Sequence, residues 1–249
     1  MNMAAINRKD DGAVNNGFLA SILNSINLRN PRGEEQLYRI RSNKVINYVI
    51  SLGYQFINIG SWFPQTRYNR IADQNINVFG FQFPGELSTV IGNNSILRLV
   101  ILNRYFYRKA VLKAFDVLNK MPLISGKPKF IMAHIICPHG PYVFGANGEK
   151  LGLNPGKSKD EKELYVEQHV FITKKVSELI NEVISSSKIA PVIIIQADHG
   201  ARMDLPGAHQ SFSAIHIPSF YGNPWPDSIP SSDTFRLLFD ELFGARLTP

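Results

Sequence analysis

The feature that most constrains the fold is an apolar run, Val192-Ile193-Ile194-Ile195, which leads directly to the polar residues Asp198 and His199. Four consecutive β-branched residues are typical of a strand buried on both faces, as in a parallel sheet flanked by helices. The chain has 249 residues, of which 44% are hydrophobic and 19% charged, so it has enough apolar side chains for such a core. We therefore predict a strand over residues 191–197.

The rest of the chain alternates between helical and strand patterns, which indicates a layered α/β domain over residues 17–249. Residues 1–16 are polar, and we predict that they form a flexible N-terminal segment. The predicted helices are 33–52, 96–121, 160–187 and 233–243, and the other predicted strands are 54–59, 128–137 and 214–217.

Charge and composition restrict the classes of partner. The net charge of +7, from 27 Lys and Arg against 20 Asp and Glu, favours anionic partners. Nucleic acid is not among the predicted partners, because none of the known binding motifs is present. The apolar runs are far shorter than the roughly 20 residues of a membrane helix, so the chain by itself is predicted to be soluble. A single cysteine, Cys137, excludes an internal disulfide.

Three predicted strands end in polar loops, and ligands of open α/β sheets bind beyond the carboxyl ends of strands. Asp198 and His199 offer an oxygen and a nitrogen ligand to zinc or manganese, and Gly200 allows a sharp turn beside the ion. The alternative is that Asp198 caps a turn while His199 is simply exposed. Because a buried strand would hold both groups in place, we prefer the metal-ligand interpretation.

Two further loops carry candidate substrate contacts. His139 follows the strand at 128–137, where an imidazole can bind or protonate an ester oxygen. Arg67 and Arg70 offer donor forks for phosphate or sulfate, with Tyr68 and Trp62 as walls. The alternatives are a turn histidine and a solvated loop. Of the other histidines, we assign His134 and His216 to the core and His169 to a helix, and retain His209 as a further metal-ligand candidate.

Several segments, in the same order along the chain, resemble sulfatase-like hydrolases and transferases of the alkaline phosphatase superfamily. The resemblance begins near Phe18, and Tyr68-Asn69-Arg70 is similar to the Trp-Asn-Arg substrate loop of lipoteichoic-acid synthases. The other matching segments are Pro138-His139-Gly140-Pro141-Tyr142, Ile194-Ile195-Gln196-Ala197-Asp198-His199-Gly200 and Thr234-Phe235-Arg236-Leu237-Leu238-Phe239.

This resemblance implies an alkaline-phosphatase-like α/β sandwich with a mostly parallel central sheet flanked by helices. It makes Asp198 and His199 ligands of a catalytic divalent ion, which is manganese, zinc, calcium or magnesium. It also implies that His139 and Arg70, with Tyr68 and Arg67, contact a phosphate- or sulfate-ester substrate. Members of the family are typically anchored in the membrane by upstream helices and have an extracytoplasmic domain.

The catalytic nucleophile is where the sequence departs from the family, whose members use a Thr, Ser or modified Cys after a strand that ends in a metal-binding acidic residue. We find no such strand before Phe18, and therefore expect the first βα unit to be missing. Asn15 or Asn16 would stand at the nucleophile's place, and Ser21 lies within an apolar helical pattern. Two hypotheses follow: a metal-dependent hydrolase or transferase, or a truncated or degenerate family member that binds an anion or a divalent metal without turnover.

Overall fold

A computed structural model describes residues 4–9, 43–79, 104–152, 155–201, 203, 210–218, 229–230 and 233–244. The chain divides into two compact units. One comprises Ile50–Lys188, and the other combines Met1–Val49 with Ile189–Pro249. Both contain helices and strands, which confirms the α/β class.

The unit Ile50–Lys188 contains a three-stranded parallel sheet. Its strands are β2 (Gln55–Gly60), β3 (Gln74–Asn77) and β4 (Lys129–Ala133), in the order β3-β2-β4. The central strand β2 is almost wholly buried, which agrees with the predicted strand at 54–59. The strand predicted at 128–137 is correct in place but too long, because regular pairing ends at Ala133.

Two helices cover this sheet in successive layers. In α3 (Arg104–Lys120), Ala110 and Ala114 pack against the sheet residues Ile57 and Ile59. The adjacent face of α3 carries Tyr107, Val111 and Phe115. These residues pack against Phe144 and against Phe171 and Ile172 of helix α4 (Glu161–Ser186). Small residues on one face and large ones on the other therefore let α3 lie between the sheet and α4.

The predicted helix at 160–187 is confirmed almost to the residue. Asp160 is its N-cap, and its carboxylate accepts a hydrogen bond of 2.7 Å from the backbone N–H of Glu163. The helix predicted at 96–121 is confirmed from Arg104 to Lys120, and residues 96–103 lie outside the described part. None of the described helices is long and apolar enough to cross a membrane.

The other unit contains an antiparallel sheet with the strand order β1-β6-β5. Its strands are β1 (Ala4–Lys9), β5 (Ile193–Gln196) and β6 (Gln210–His216). The prediction that residues 192–195 form a parallel strand buried on both faces is wrong, because β5 pairs antiparallel with β6 and its residues are only half-buried. β1 falls in the segment 1–16 and was not predicted as a strand.

Two helices accompany this sheet. In α1 (Lys44–Ser51) the ring of Tyr48 lies 4.9 Å from that of Phe239 in α5 (Thr234–Phe243). The predicted helix at 233–243 is confirmed, and it ends at Gly244 in the left-handed conformation, with φ of 59°. Only the last turns of the helix predicted at 33–52 lie in the described residues. The short helix α2 (Pro64–Arg67) belongs to the other unit, in the loop after β2.

Candidate functional site

The carboxyl ends of β2 and β4 lie side by side, because these two strands are parallel neighbours. Their loops carry five of the residues singled out from the sequence: Trp62, Arg67, Tyr68 and Arg70 after β2, and His139 after β4. Two of the three predicted strand-end loops thus share one edge of one sheet. The third loop, with Asp198 and His199, follows β5 in the other sheet.

The loop after β2 is held by the amide side chains of Asn58, which is buried, and Asn75, which is half-buried. Asn58 donates to Oδ1 of Asn75 (3.0 Å), and the same Oδ1 accepts from the backbone N–H of Asn69 (2.8 Å). Asn75 in turn donates to the Asn69 carbonyl (2.9 Å). A Cβ at Gly60 would overlap the carbonyl oxygen of Arg67, so only glycine allows the loop to fold back this closely. The loop is therefore held rigidly at both ends.

Two hydroxyls of this loop contact an imidazole at the end of β4. Ser61 and Thr66 are buried, their hydroxyl oxygens are 2.9 Å apart, and Thr66 Oγ1 lies 2.7 Å from Nδ1 of His134. The Ser61 oxygen also accepts from the backbone N–H of Phe63 (3.0 Å). His134 is half-buried and follows the end of β4, so it does not lie inside a buried strand as the sequence indicated. The hydroxyls serve to join the two loops.

The charged residues of the loop differ in their surroundings. Arg70 is exposed and Tyr68 is half-exposed, so both side chains are available to a ligand. Arg67 is partly buried, and its Nη2 donates to the Trp62 carbonyl (2.8 Å). Burial lowers the pKa of the Arg67 guanidinium, although arginine remains charged at neutral pH. A cavity of about 20 Å³ beside Trp62 and His134 holds about one water, so a larger ligand has to bind outside it.

His139 is exposed, and the backbone of its loop accepts hydrogen bonds from side chains of α3 and α4. Tyr107 donates from its hydroxyl to the carbonyls of Ile136 (2.5 Å) and His139 (2.9 Å). Gln168 donates to the carbonyls of Pro138 (3.0 Å) and His139 (3.1 Å). Both prolines of the loop, Pro138 and Pro141, follow cis peptide bonds.

The imidazole of His139 is oriented by its own turn. Nδ1 lies 2.7 Å from the Gly140 carbonyl, and since a carbonyl can only accept, Nδ1 carries a proton. In the neutral ring this leaves Nε2 as an acceptor, and in the charged ring Nε2 is a donor. Either form can contact an ester oxygen or a hydroxyl.

Gln168 and Tyr107 were missed as supporting residues of this loop. Gln168 is completely buried and also accepts from the backbone N–H groups of Val143 (2.8 Å) and Phe144 (3.2 Å). A signal was present in the sequence, because Gln168 stands between Leu164 and Ile172 at spacings of four residues in an apolar helical stripe. A polar residue at such a position has to satisfy its hydrogen bonds within the protein.

Asp198 and His199 follow β5 as predicted. His199 Nδ1 lies 2.6 Å from the Gly200 carbonyl, so it carries the proton and Nε2 has the lone pair needed by a metal. Nε2 is 3.5 Å from Oδ2 of Asp198. Two ligands at about 2.1 Å from one tetrahedral ion are about 3.4 Å apart, so the pair fits a shared divalent ion.

The pair would supply only two ligands of such an ion. Among the described residues, no group of three or more His, Cys, Asp or Glu side chains could hold a metal. The further candidate His209 lies outside the described residues, as do Asn15, Asn16 and Ser21. Metal ligation by Asp198 and His199 therefore stays a prediction with favourable geometry.

Comparisons with protein-family models, with curated proteins and with solved structures gave no match to this chain. The resemblance to sulfatase-like enzymes thus rests on the motifs quoted above.

Proposed function

We propose that this protein is a metal-dependent hydrolase or transferase of the sulfatase-like class, acting on phosphate or sulfate esters. The observation that carries the proposal is that the loop with Arg67 and Arg70 and the loop with His139 begin at the neighbouring carboxyl ends of the parallel strands β2 and β4. A cation and an imidazole in loops that begin at adjacent strand ends are residue types suited to bind an ester anion and to exchange a proton with it.

The chemistry of Asp198 and His199 supports the metal-dependent part of the proposal. These two residues would hold the divalent ion, and such an ion supplies Lewis-acid chemistry when bound. His139 would contact the ester oxygen through Nε2, because its Nδ1 is engaged with Gly140. Arg70, with Tyr68 and Arg67, would orient the anionic group.

Binding without turnover is the second candidate function. The observation that favours it is the state of Ser61 and Thr66, whose hydroxyls lie at the proposed edge but are buried and hydrogen-bonded to each other. A nucleophile has to reach the phosphorus or sulfur atom, and neither hydroxyl is free to do so. A family member of this kind would bind an anion or a divalent metal and release it unchanged.

Metal binding is tested by titration calorimetry of Mn²⁺ and of Zn²⁺ into the wild type and into the double variant Asp198→Ala, His199→Ala. We expect binding that the double variant abolishes. The matched control, Glu182→Ala, His169→Ala, removes the same two chemical groups from exposed positions of α4 and should bind as the wild type does. Equal binding by all three proteins would refute the ligand assignment.

Turnover decides between the two functions. Release of phenol from an aryl phosphate and from an aryl sulfate is measured with Mn²⁺ or Zn²⁺ present. Turnover that Asp198→Ala, His199→Ala removes supports the hydrolase or transferase. Metal binding without turnover supports the second candidate.

A further inference from the structure

Helix α4 has an exposed face that carries apolar side chains. Its buried face packs toward α3, whereas Val166 and Val170 on the opposite side are 43% and 38% exposed. Thr173 and Ser177 are exposed as well. Spacings of four, three and four residues place Val166, Val170, Thr173 and Ser177 on one side of the helix. We call these four residues the α4 stripe.

The residue types of the α4 stripe suit a protein contact better than they suit solvent. Valine and threonine are branched at Cβ, which lowers their helix propensity, so they do not stabilise the isolated helix at exposed positions. Exposed positions nearer the end of α4 are polar, namely Asn181, Glu182 and Ser185. Burial of two adjacent valines from each of two chains would remove apolar surface from water. The α4 stripe is therefore a candidate docking surface.

Two opposite charges flank the α4 stripe. Glu163 and Lys174 are eleven residues apart, which is about three helical turns, so both lie on the same flank of the stripe. The midpoint between these two charges falls between Gln168 and His169, within one residue of the midpoint between the two valines. The charges and the apolar residues are thus arranged about nearly the same point of the helix.

This arrangement is self-complementary. When a second α4 lies antiparallel across the first, related by a twofold axis at that midpoint, each residue faces the one at the same distance beyond the midpoint. Glu163 of each copy then faces Lys174 of the other, at two symmetrical places. Val166 of each copy lies beside Val170 and Thr173 of the other. A parallel pair would instead bring like charges together, so the charges favour an antiparallel second copy as the occupant of the stripe.

Both charges are accessible to a second chain. The side chain of Glu163 is 51% exposed and lies 3.7 Å from Lys159 Nζ. Lys174 is exposed and donates to the Ala146 carbonyl (3.2 Å) and to Oδ1 of Asn147 (2.9 Å). An ammonium group has three N–H donors, so a carboxylate of another chain can accept the third. Exposed ion pairs contribute little to affinity, and their main effect is to fix the register and direction of the two helices.

We propose that two copies of this protein associate through the α4 stripe, with their α4 helices antiparallel and Glu163 of each copy paired with Lys174 of the other. The inference goes beyond the proposed function, because it concerns the assembly of the protein and does not depend on ester chemistry. A contact of two helices over about three turns is small, so we expect a weak dimer with a Kd of about 10–100 µM.

Sedimentation velocity over a concentration series measures this association. Val170→Asp places a carboxylate of each copy in the apolar contact and should raise the Kd about tenfold or more. Ser185→Asp adds the same charge at an exposed position of α4, which in the antiparallel pair faces a point before the start of the other α4. This matched control should associate as the wild type does. A wild type that stays monomeric up to about 1 mM, or a dimer that Val170→Asp leaves intact, would overturn the proposal.

Charge reversal tests the pairing of Glu163 with Lys174. Glu163→Lys and Lys174→Glu should each raise the Kd about tenfold, because each replaces two attractive pairs by two repulsive ones. The double variant restores both attractive pairs with exchanged signs and should recover the wild-type Kd. Effects on the fold of the single chain, such as the lost contacts of Lys174 with Asn147, would add in the double variant and would not cancel. A double variant that associates no better than the single ones would contradict the pairing.

Cross-linking tests the direction of the two helices. His169→Cys and Ser185→Cys are each made in a Cys137→Ala background, so that each chain has one thiol. In the antiparallel pair the two copies of position 169 lie beside the twofold axis, whereas the two copies of position 185 are about 50 Å apart along the helices. A short bismaleimide should therefore link His169→Cys chains and leave Ser185→Cys chains unlinked. Cross-linking of both variants would indicate a parallel pair and would overturn the proposed arrangement.

Discussion

The hydroxyl oxygen of Thr66 lies 2.7 Å from Nδ1 of His134, and this contact joins the loop after β2 to the end of β4. Thr66 is only 4% exposed, and His134 is half-buried. The hydrogen bond therefore holds together the two loops that carry the candidate substrate-binding residues Arg70 and His139.

Replacing Thr66 by valine keeps the shape of the side chain and removes the hydroxyl. We expect a loss of about 1–3 kcal/mol in the free energy of unfolding, because buried Ser61 and half-buried His134 each lose a hydrogen-bond partner. Urea denaturation measures the change. Thr173→Val, at an exposed position of α4, is the matched control and should change the free energy by less than about 0.5 kcal/mol. Equal effects would show that the contact does not stabilise the loops.

Gly60→Ala tests the close approach of the loop to β2. The added Cβ would overlap the Arg67 carbonyl, so the loop has to shift, and we expect a loss of about 1–3 kcal/mol in the free energy of unfolding. The same substitution at Gly152, where a Cβ would meet no described atom within 4 Å, should be close to neutral. Thermal unfolding of the two variants gives the comparison. A Gly60→Ala protein as stable as Gly152→Ala would contradict the described loop.

The elements predicted correctly from sequence are those with strong local signals. The helix Glu161–Ser186 has an acidic N-cap and a long apolar stripe, and β2 is a short apolar run that ends in glycine. These signals lie within the segments themselves, so no distant contact was needed to recognise them.

The elements that were missed depend on contacts with distant parts of the chain. β3 has the polar sequence Gln74-Asn75-Ile76-Asn77, and it is a strand because it pairs with β2. β5 was assigned to a parallel sheet from its β-branched residues, but its pairing with β6 is antiparallel. Composition indicates that a strand will form and does not determine which neighbour it pairs with.

The candidate site was predicted only in part for a similar reason. The sequence identified Arg70 and His139 from their loops, and the parallel pairing of β2 with β4 places those loops on one edge. The supporting groups Gln168 and Tyr107 lie on helices about 30 residues away from the loop that they hold. The apolar stripe around Gln168 indicates a buried polar residue, but which loop the residue holds depends on tertiary packing.

Gln168→Leu tests the support of the His139 loop. The substitution removes the acceptor for the backbone N–H groups of Val143 and Phe144 and the donor to two carbonyls. We expect a loss of about 3 kcal/mol or more in the free energy of unfolding. Hydrogen exchange should show lost protection at Val143 and Phe144, with the amides of β2 much less affected. Undiminished protection at both amides would refute the role given to Gln168.

Cys137 gives a pH-dependent contribution to stability. Burial raises the pKa of its thiol, whereas a thiol in the unfolded chain has a pKa of about 8.5. Because the folded pKa is the higher one, this contribution is fully present below about pH 8.5 and is lost as the pH rises further. Between pH 8.5 and 9.5 the free energy of unfolding of the wild type should fall by about 1 kcal/mol more than that of Cys137→Ala.

Urea denaturation of both proteins at a series of pH values measures this difference. Parallel curves for the wild type and Cys137→Ala above pH 8.5 would show that the thiol ionises as readily in the folded protein as in the unfolded chain. A thiol reagent at pH 8 should also react with Cys137 much more slowly in the folded protein than in urea.

The loops that begin at the shared edge of β2 and β4 are proposed to bind the anionic group of an ester, and Arg70 is an exposed cation of the loop after β2. Calorimetric titration of inorganic phosphate into the wild type, Arg70→Gln and Lys188→Gln tests this central claim most directly. Lys188 is exposed, so its variant removes one positive charge at a distant place in the sequence and serves as the matched control. We expect Arg70→Gln to weaken binding about tenfold or more and Lys188→Gln to bind as the wild type does. The same Kd for all three proteins would contradict the account.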